Sequence, residues 1–158
     1  MQQDRIAALE KRLQALEDRL AIFQLVATYG PAVDSLSENE VASIWTDDGV
    51  YDAGGNAPYV GRPQIGKLIE SDLHRKFVAA GCAHVGSLPH VTIDGDTAVA
   101  TNYTRVYMRE GDHWKVARAS ANRWELVRTD DGWHVRHRLN RLMDGTAEPR
   151  EILGSNLR

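Results

Sequence analysis

One cysteine, Cys82, occurs in 158 residues. An intrachain disulfide is therefore excluded, and a reducing, cytoplasmic setting is expected. No apolar run approaches membrane-spanning length, and the charged N-terminus carries no signal-peptide pattern. Positive charge is not in excess: 19 Lys and Arg stand against 22 Asp and Glu, a net charge of −3. Neither a nucleic-acid partner nor a membrane partner is expected. Missing too are HxH, HExxH and paired-cysteine spacings, and GxGxxG, GxxxxGK[ST] and GxSxG motifs. No metal site, nucleotide cradle or serine-hydrolase elbow is expected, and no cofactor.

What is present is ordinary for a soluble globular chain: 42% hydrophobic and 26% charged residues. The length suits one domain with a real core, expected over 1–145, followed by a tail, 146–158. The tail holds Pro149 and little apolar besides Ile152 and Leu153.

The chain is organised around Tyr29–Asp52. Before it, Ile6, Leu9, Leu13, Leu16, Leu20 and Phe23 alternate spacings of three and four, which predicts an amphipathic helix over 4–29. That stripe is expected to cover a sheet or a neighbouring helix; its heptad-like spacing also resembles a subunit seam. Gly30-Pro31 should end or kink the helix, leaving Asp34 near the mouth of whatever lies beneath. Ser37 and Glu40 read as a capping box for a second helix with Val41, Ile44 and Trp45 on its apolar face. Asp47-Asp48-Gly49 reads as a turn, 50–52 as a strand, and Gly54-Gly55-Asn56 as a hairpin turn. Gly61-Arg62-Pro63 should start a third helix ending near Phe77.

After Gly81 the period changes. Strands are predicted at about 82–93, 97–109, 113–128 and 132–143, separated by the turns Asp94-Gly95-Asp96, Glu110-Gly111-Asp112 and Asp130-Asp131-Gly132. Long strands joined by tight turns make an antiparallel meander. The expected fold is α+β, with helices packed on a curved, mostly antiparallel sheet. Strict alternation places Trp114, Val116, Arg118, Ser120, Asn122, Trp124 and Leu126 on one face, and Trp133, Val135, His137 and Leu139 on one face. Such a face, apolar with a few polar groups, suits a small-molecule pocket. His84, set among small residues, is the candidate base; His74, His113 and His134 read as surface residues.

Several of these features together resemble the SnoaL-like group of the nuclear transport factor 2-like superfamily, whose fold is a cone-shaped α+β barrel. They are Tyr29-x4-Asp34, Ala42-Ser43-Ile44-Trp45-Thr46-Asp47-Asp48, Gly61-Arg62, Ala83-His84, Asp94-Gly95-Asp96-x-Ala98 and Asp131-Gly132-Trp133. The resemblance spans roughly residues 10 to 145. Scytalone dehydratase and hexachlorocyclohexane dehydrochlorinase use an Asp–His dyad, which matches Asp34 and His84. The bile-acid 7α-dehydratase has a Tyr-x4-Asp spacing that matches Tyr29 and Asp34. Ser120-Ala121-Asn122 is similar to a run in scytalone dehydratase, and the dehydrochlorinase places an arginine near where His137 falls.

The resemblance implies a cofactor-free lyase, a dehydratase with Asp34, His84 and Tyr29 as catalytic residues. Asn122 would help Tyr29 hold a developing oxyanion. Ser120, His137, Tyr51, Asp52 and Trp124 would line the pocket for a polycyclic, aromatic or terpenoid-like substrate. It also implies a homo-oligomer, a trimer ahead of a dimer. Two alternatives stand beside it: an isomerase or cyclase in which Asp52 and Tyr29 shuttle a proton, and a ligand-binding protein without catalysis.

Overall fold

A computed structural model describes residues 1–55 and 57–157. Helix α1 (Gln2–Asp34) leads into α2 (Glu38–Ser43), and β1 (Trp45–Asp52) pairs with β2 (Tyr59–Val60). Next come α3 (Arg62–Gly66), a 3-10 turn (Lys67–Glu70) and α4 (Asp72–Ala80). The rest is β3 (Cys82–Gly86), β4 (His90–Asp94), β5 (Thr97–Glu110), β6 (His113–Thr129), β7 (Gly132–Leu142) and α5 (Ala147–Gly154). One sheet runs β2-β1-β7-β6-β5-β3, with β4 also on β5. Every pairing is antiparallel except β1 with β7. The α+β arrangement is as expected. The sheet does not close on itself, so α1, packed on β3 and β7, completes the cone in place of strand closure. Among the described residues no helix is long and apolar enough to cross a membrane.

Helix α1 does not end at Gly30-Pro31; Pro31 lies inside it. The helix stops one turn later, when Leu36 N–H bonds Val33 O and Ser37 N–H bonds Ala32 O. This paired closure normally uses glycine in the left-handed conformation, but here Leu36 occupies it, at φ 55°. The apolar stripe of α1 also departs from expectation. Asp18, Ile22 and Val26 are buried, while Leu13, Leu16 and Leu20, on another face, are exposed.

Smaller differences have local causes. Ser37 is the N-cap of α2, but its Oγ sits 2.7 Å from Ser35 Oγ and no capping box forms. Asp47-Asp48-Gly49 is no turn: β1 starts at Trp45 and carries these residues through an irregularity opposite β7. Of the turn expected at Gly54-Gly55-Asn56, Asn56 lies outside the described residues. The third helix splits at Ser71, whose Oγ accepts the His74 N–H at 3.2 Å and restarts the chain as α4. The strand expected at 82–93 breaks at Ser87-Leu88-Pro89. Side chains patch that break: Asn102 Nδ2 donates to Ser87 O at 3.1 Å, and Ser87 Oγ accepts from Tyr103 N at 3.1 Å. The tail forms α5, which packs on β6 with Pro149 and Ile152 buried.

Two contacts fix α1 on the sheet. At Gly30 the helix backbone comes so close to β3 that a Cβ there would lie 2.3 Å from the His84 carbonyl oxygen. Twelve residues earlier, Asp18 receives both Arg128 Nη atoms at 2.7 Å, and Trp133 Nε1 at 3.1 Å. The bonds from Arg128 lead in pulling the Asp18 carboxyl from 3.8 to about 2, against the opposing effect of its burial.

Each contact yields a prediction. Helix propensity alone favours alanine over glycine by about 1 kcal/mol. Gly30→Ala is nevertheless expected to destabilise by about 1–3 kcal/mol through overpacking, read by urea denaturation; a variant as stable as the parent would refute the close approach. For Asp18 the folded-state pKa lies below the unfolded one. Its stabilisation, about 1 kcal/mol after solvent screening, is therefore present above pH 3.8 and lost as pH falls toward about 2. The stability gap between the parent and Asp18→Asn should be visible at neutral pH and shrink through that window.

Candidate active site

The end of α1 and the start of β3 place Asp34 against His84. His84 Nδ1 lies 2.6 Å from Asp34 Oδ1, and the His84 backbone N–H donates to Oδ2 at 2.7 Å. Cys82 Sγ–H adds a weaker bond to Oδ1 at 3.6 Å. Burial works to raise the Asp34 pKa, but the His84 side-chain and backbone bonds outweigh it and hold the carboxyl below its usual range. The ionised carboxylate can only accept, so Nδ1 carries a proton, and in the neutral imidazole the lone pair is on Nε2. Among the described residues Nε2 has no hydrogen-bond partner, and His84 lines a cavity.

Asp34, Cys82 and His84 are also the one trio of potential metal ligands found among the described residues. Burial and the Asp34 charge push the Cys82 thiol up to about 11, so it stays a protonated donor. The chemistry of the trio is that of a hydrogen-bonded proton site.

The cavity, about 570 Å³, lies between α1 and the inner face of the sheet. Tyr29, Tyr51, Trp124 and His84 line it, and Arg138 and Arg118 face it as well. A second cavity of about 220 Å³ shares Tyr29, Tyr51 and His84 and reaches α4 at Leu73, His74 and Phe77. Burial, and then Tyr51, push the Tyr29 hydroxyl above its usual range despite the opposing pull of Arg138. At neutral pH it is a protonated donor.

The structure thus gathers Tyr29, Asp34, His84, Tyr51 and Trp124. Four other expected residues lie elsewhere. Ser120 is buried behind the cavity wall and accepts from Arg118 Nε at 2.9 Å. Asn122 is fully buried; its Oδ1 accepts from Arg138 Nε and Nη2 and from Asn140 Nδ2, and its own Nδ2 donates to Thr104. Fully buried and lining neither cavity, it does not reach an oxyanion directly. Asp52 is gripped by Arg141 through bonds of 2.7 and 2.8 Å, outside both cavities. Those bonds lead in lowering its pKa, over the effect of burial, which makes it a poor base. His137 sits 3.8 Å from Glu125 and lines neither cavity.

Arg138 takes the place expected of His137. Leu126 pairs with Val135 and Glu125 with His137, so Arg136 is an extra residue and the alternation of β7 slips by one. Arg138 is 2% exposed, with its guanidinium 3.9 Å from the Trp124 ring centre, 4.1 Å from Tyr29 and 4.7 Å from Tyr51. Among the described residues its Nη1 has no hydrogen-bond partner. Strict alternation hides this residue; the mismatch between His137 and the arginine of the dehydrochlorinase was the available signal. Two histidines read as surface residues are also placed otherwise. His74 Nε2 lies 3.0 Å from Val33 O in the second cavity, and His134 is buried beside Thr129.

Comparisons with known proteins agree with this architecture. A search of the curated proteins returned no match. An NTF2-like protein with a cystatin-like fold from Novosphingobium aromaticivorans is 41% identical, covering 92% of this chain and 94% of its own, at a TM-score of 0.90. The hexachlorocyclohexane dehydrochlorinase LinA-type3 from Novosphingobium barchaimii shares the fold at 22% identity and a TM-score of 0.72, over 84% of this chain and 90% of its own. A protein from Catenulispora acidiphila in complex with S-DNPA shares it at 24% identity and a TM-score of 0.69, over 82% and 94%. The SnoaL-like domain model matches residues 14–139. With most of its length inside that match, the chain belongs to the SnoaL-like domain family.

Proposed function

We propose that this protein is a small-molecule lyase, a dehydratase that uses Asp34 and His84 as a proton-transfer dyad. The observation that carries the reading is the 2.6 Å contact between Asp34 and His84 Nδ1, which leaves Nε2 as the free base at the cavity. Nε2 takes a proton from the carbon beside a carbonyl, and the electron pair moves onto the carbonyl oxygen. Asp34 stabilises the resulting imidazolium and fixes its tautomer. Tyr29 donates a hydrogen bond to the developing oxyanion, and Arg138 Nη1 supplies the second donor in place of Asn122. The electrons then return to expel the hydroxyl from the next carbon. The imidazolium gives that hydroxyl its proton, so water departs and His84 ends neutral. The apolar and aromatic lining supports a polycyclic, aromatic or terpenoid-sized substrate.

Screening with hydroxy-ketones and hydroxy-enoyl thioesters supplies the assay. His84→Ala and Asp34→Asn are each expected to lower turnover by about 10²–10⁴-fold, with the circular-dichroism spectrum unchanged. Asp52→Asn should leave kcat near the parent value. Near-normal turnover in His84→Ala would remove the dyad from the mechanism and leave ligand binding as the better account.

A further inference from the structure

The cavity carries two guanidinium groups and no carboxylate among the residues that line it. Among the described residues Arg138 hydrogen-bonds only the amide oxygen of Asn122. Arg118 bonds Ser120 Oγ, the Ala53 carbonyl oxygen at 3.2 Å and Asn140 Oδ1 at 2.6 Å. Asn140 in turn donates to Asn122, so one chain of neutral groups links the two arginines. Two other arginines on the sheet behave differently: Arg128 and Arg141 each hold carboxylates directly. Arg138 is buried and Arg118 partly so; a cation withdrawn from water and held by neutral acceptors is costly, and an anion entering beside it recovers part of that cost.

We infer that the Arg118–Asn140–Asn122–Arg138 network is an anion subsite, and that the ligand of this cavity is an aromatic or polycyclic carboxylate. The inference rests on the cavity being the substrate site, and it narrows the substrate to an organic acid. Arg138 lies among the aromatic rings with Nη1 free, while Arg118 marks the end of the cavity away from them on β6. Arg118 thus anchors the permanent negative charge, and Arg138 remains beside the reacting carbonyl.

Binding tests this without turnover, by quenching of tryptophan fluorescence and by calorimetry with 2-naphthoate and its neutral isostere 2-naphthamide. The carboxylate should bind about 10- to 100-fold more tightly, the range of a charge-assisted hydrogen bond. Arg118→Gln should erase most of that preference, and Arg118→Lys should keep most of it. Equal binding, preference for the amide, or no binding of either overturns the subsite. Loss of the dyad mechanism would show in turnover of His84→Ala and leave these affinities unmoved.

An independent observation concerns the free end of α1. Ile6, Leu9, Leu13, Leu16 and Leu20 are 48%, 51%, 56%, 66% and 67% exposed, and none of them is buried by the described residues. With Ile6, Leu13 and Leu20 at the first heptad position and Leu9 and Leu16 at the fourth, Arg5, Arg12 and Arg19 precede the seam and Glu10 and Glu17 follow it. None of these five makes an ion pair within the described residues. Side by side in parallel, Arg5 meets Glu10 of a second copy and Arg12 meets Glu17; an antiparallel pair would set arginine against arginine and glutamate against glutamate. The geometry points to a parallel coiled coil between copies of this chain.

Light scattering of the full chain should show an oligomer that Leu13→Glu dissociates. Arg5→Glu/Arg12→Glu and Glu10→Arg/Glu17→Arg should each dissociate alone and reassociate when mixed. Leu9→Cys, with Cys82→Ser, should cross-link to itself on oxidation. A monomeric parent, an assembly indifferent to Leu13→Glu, or no cross-link overturns the seam.

Discussion

How closely α1 can lie on β3 decides the geometry of the cavity. Gly30 has no side chain, so the helix backbone rests against the His84 carbonyl. The same strand then turns its imidazole and its amide toward Asp34, one turn further along the helix. A bulkier residue at position 30 would separate the two halves of the dyad by the thickness of a methyl group, a large error for a bond of this length. Pro31 and the left-handed Leu36 belong to the same arrangement. The helix tolerates proline for a single turn and then closes abruptly, so the chain leaves directly after the carboxylate. Strain of this kind tends to collect where a side chain must be aimed.

The opposite wall is built on a different principle. Arg138 is deeply buried, yet among the described residues its charge is met by aromatic faces and an amide and by no carboxylate. Rings above and around a guanidinium stabilise it modestly without neutralising it. Asn122 makes this possible by accepting three donors on one oxygen, a concentration of bonds that fixes Arg138 and Asn140 together. The cavity therefore has a basic, electron-donating side at His84 and an electron-accepting side at Arg138 and Tyr29. That polarity suits proton abstraction with charge moving across the site.

Much of this was legible in the sequence where a local rule governed it. The acidic, glycine-containing turns set the meander, and the Tyr29-x4-Asp34 spacing with Ala83-His84 pointed to groups that do converge. Errors arose where period-2 alternation was carried through an irregular strand. One extra residue at Arg136 exchanged His137 for Arg138 on the inner face. Asp52 and Asn122 had suitable chemistry, but Arg141 and Arg138 reach them from the neighbouring strand, and no spacing rule encodes that. On α1, periodicity correctly found an apolar face, but only the fold shows that a different face, that of Asp18 and Ile22, meets the sheet.

The single parallel pairing, between β1 and β7, bears on the order of assembly. Most contacts in the meander are local hairpins, which close early. Tyr51, by contrast, finds its strand partner Arg138 only when the last strand is available. The aromatic wall of the cavity is thus stitched from the two ends of the domain, and during synthesis the ribosome must have released nearly the whole fold before that wall can exist. The cavity is a late product of folding, closed by the same contact that places its most deeply buried charge.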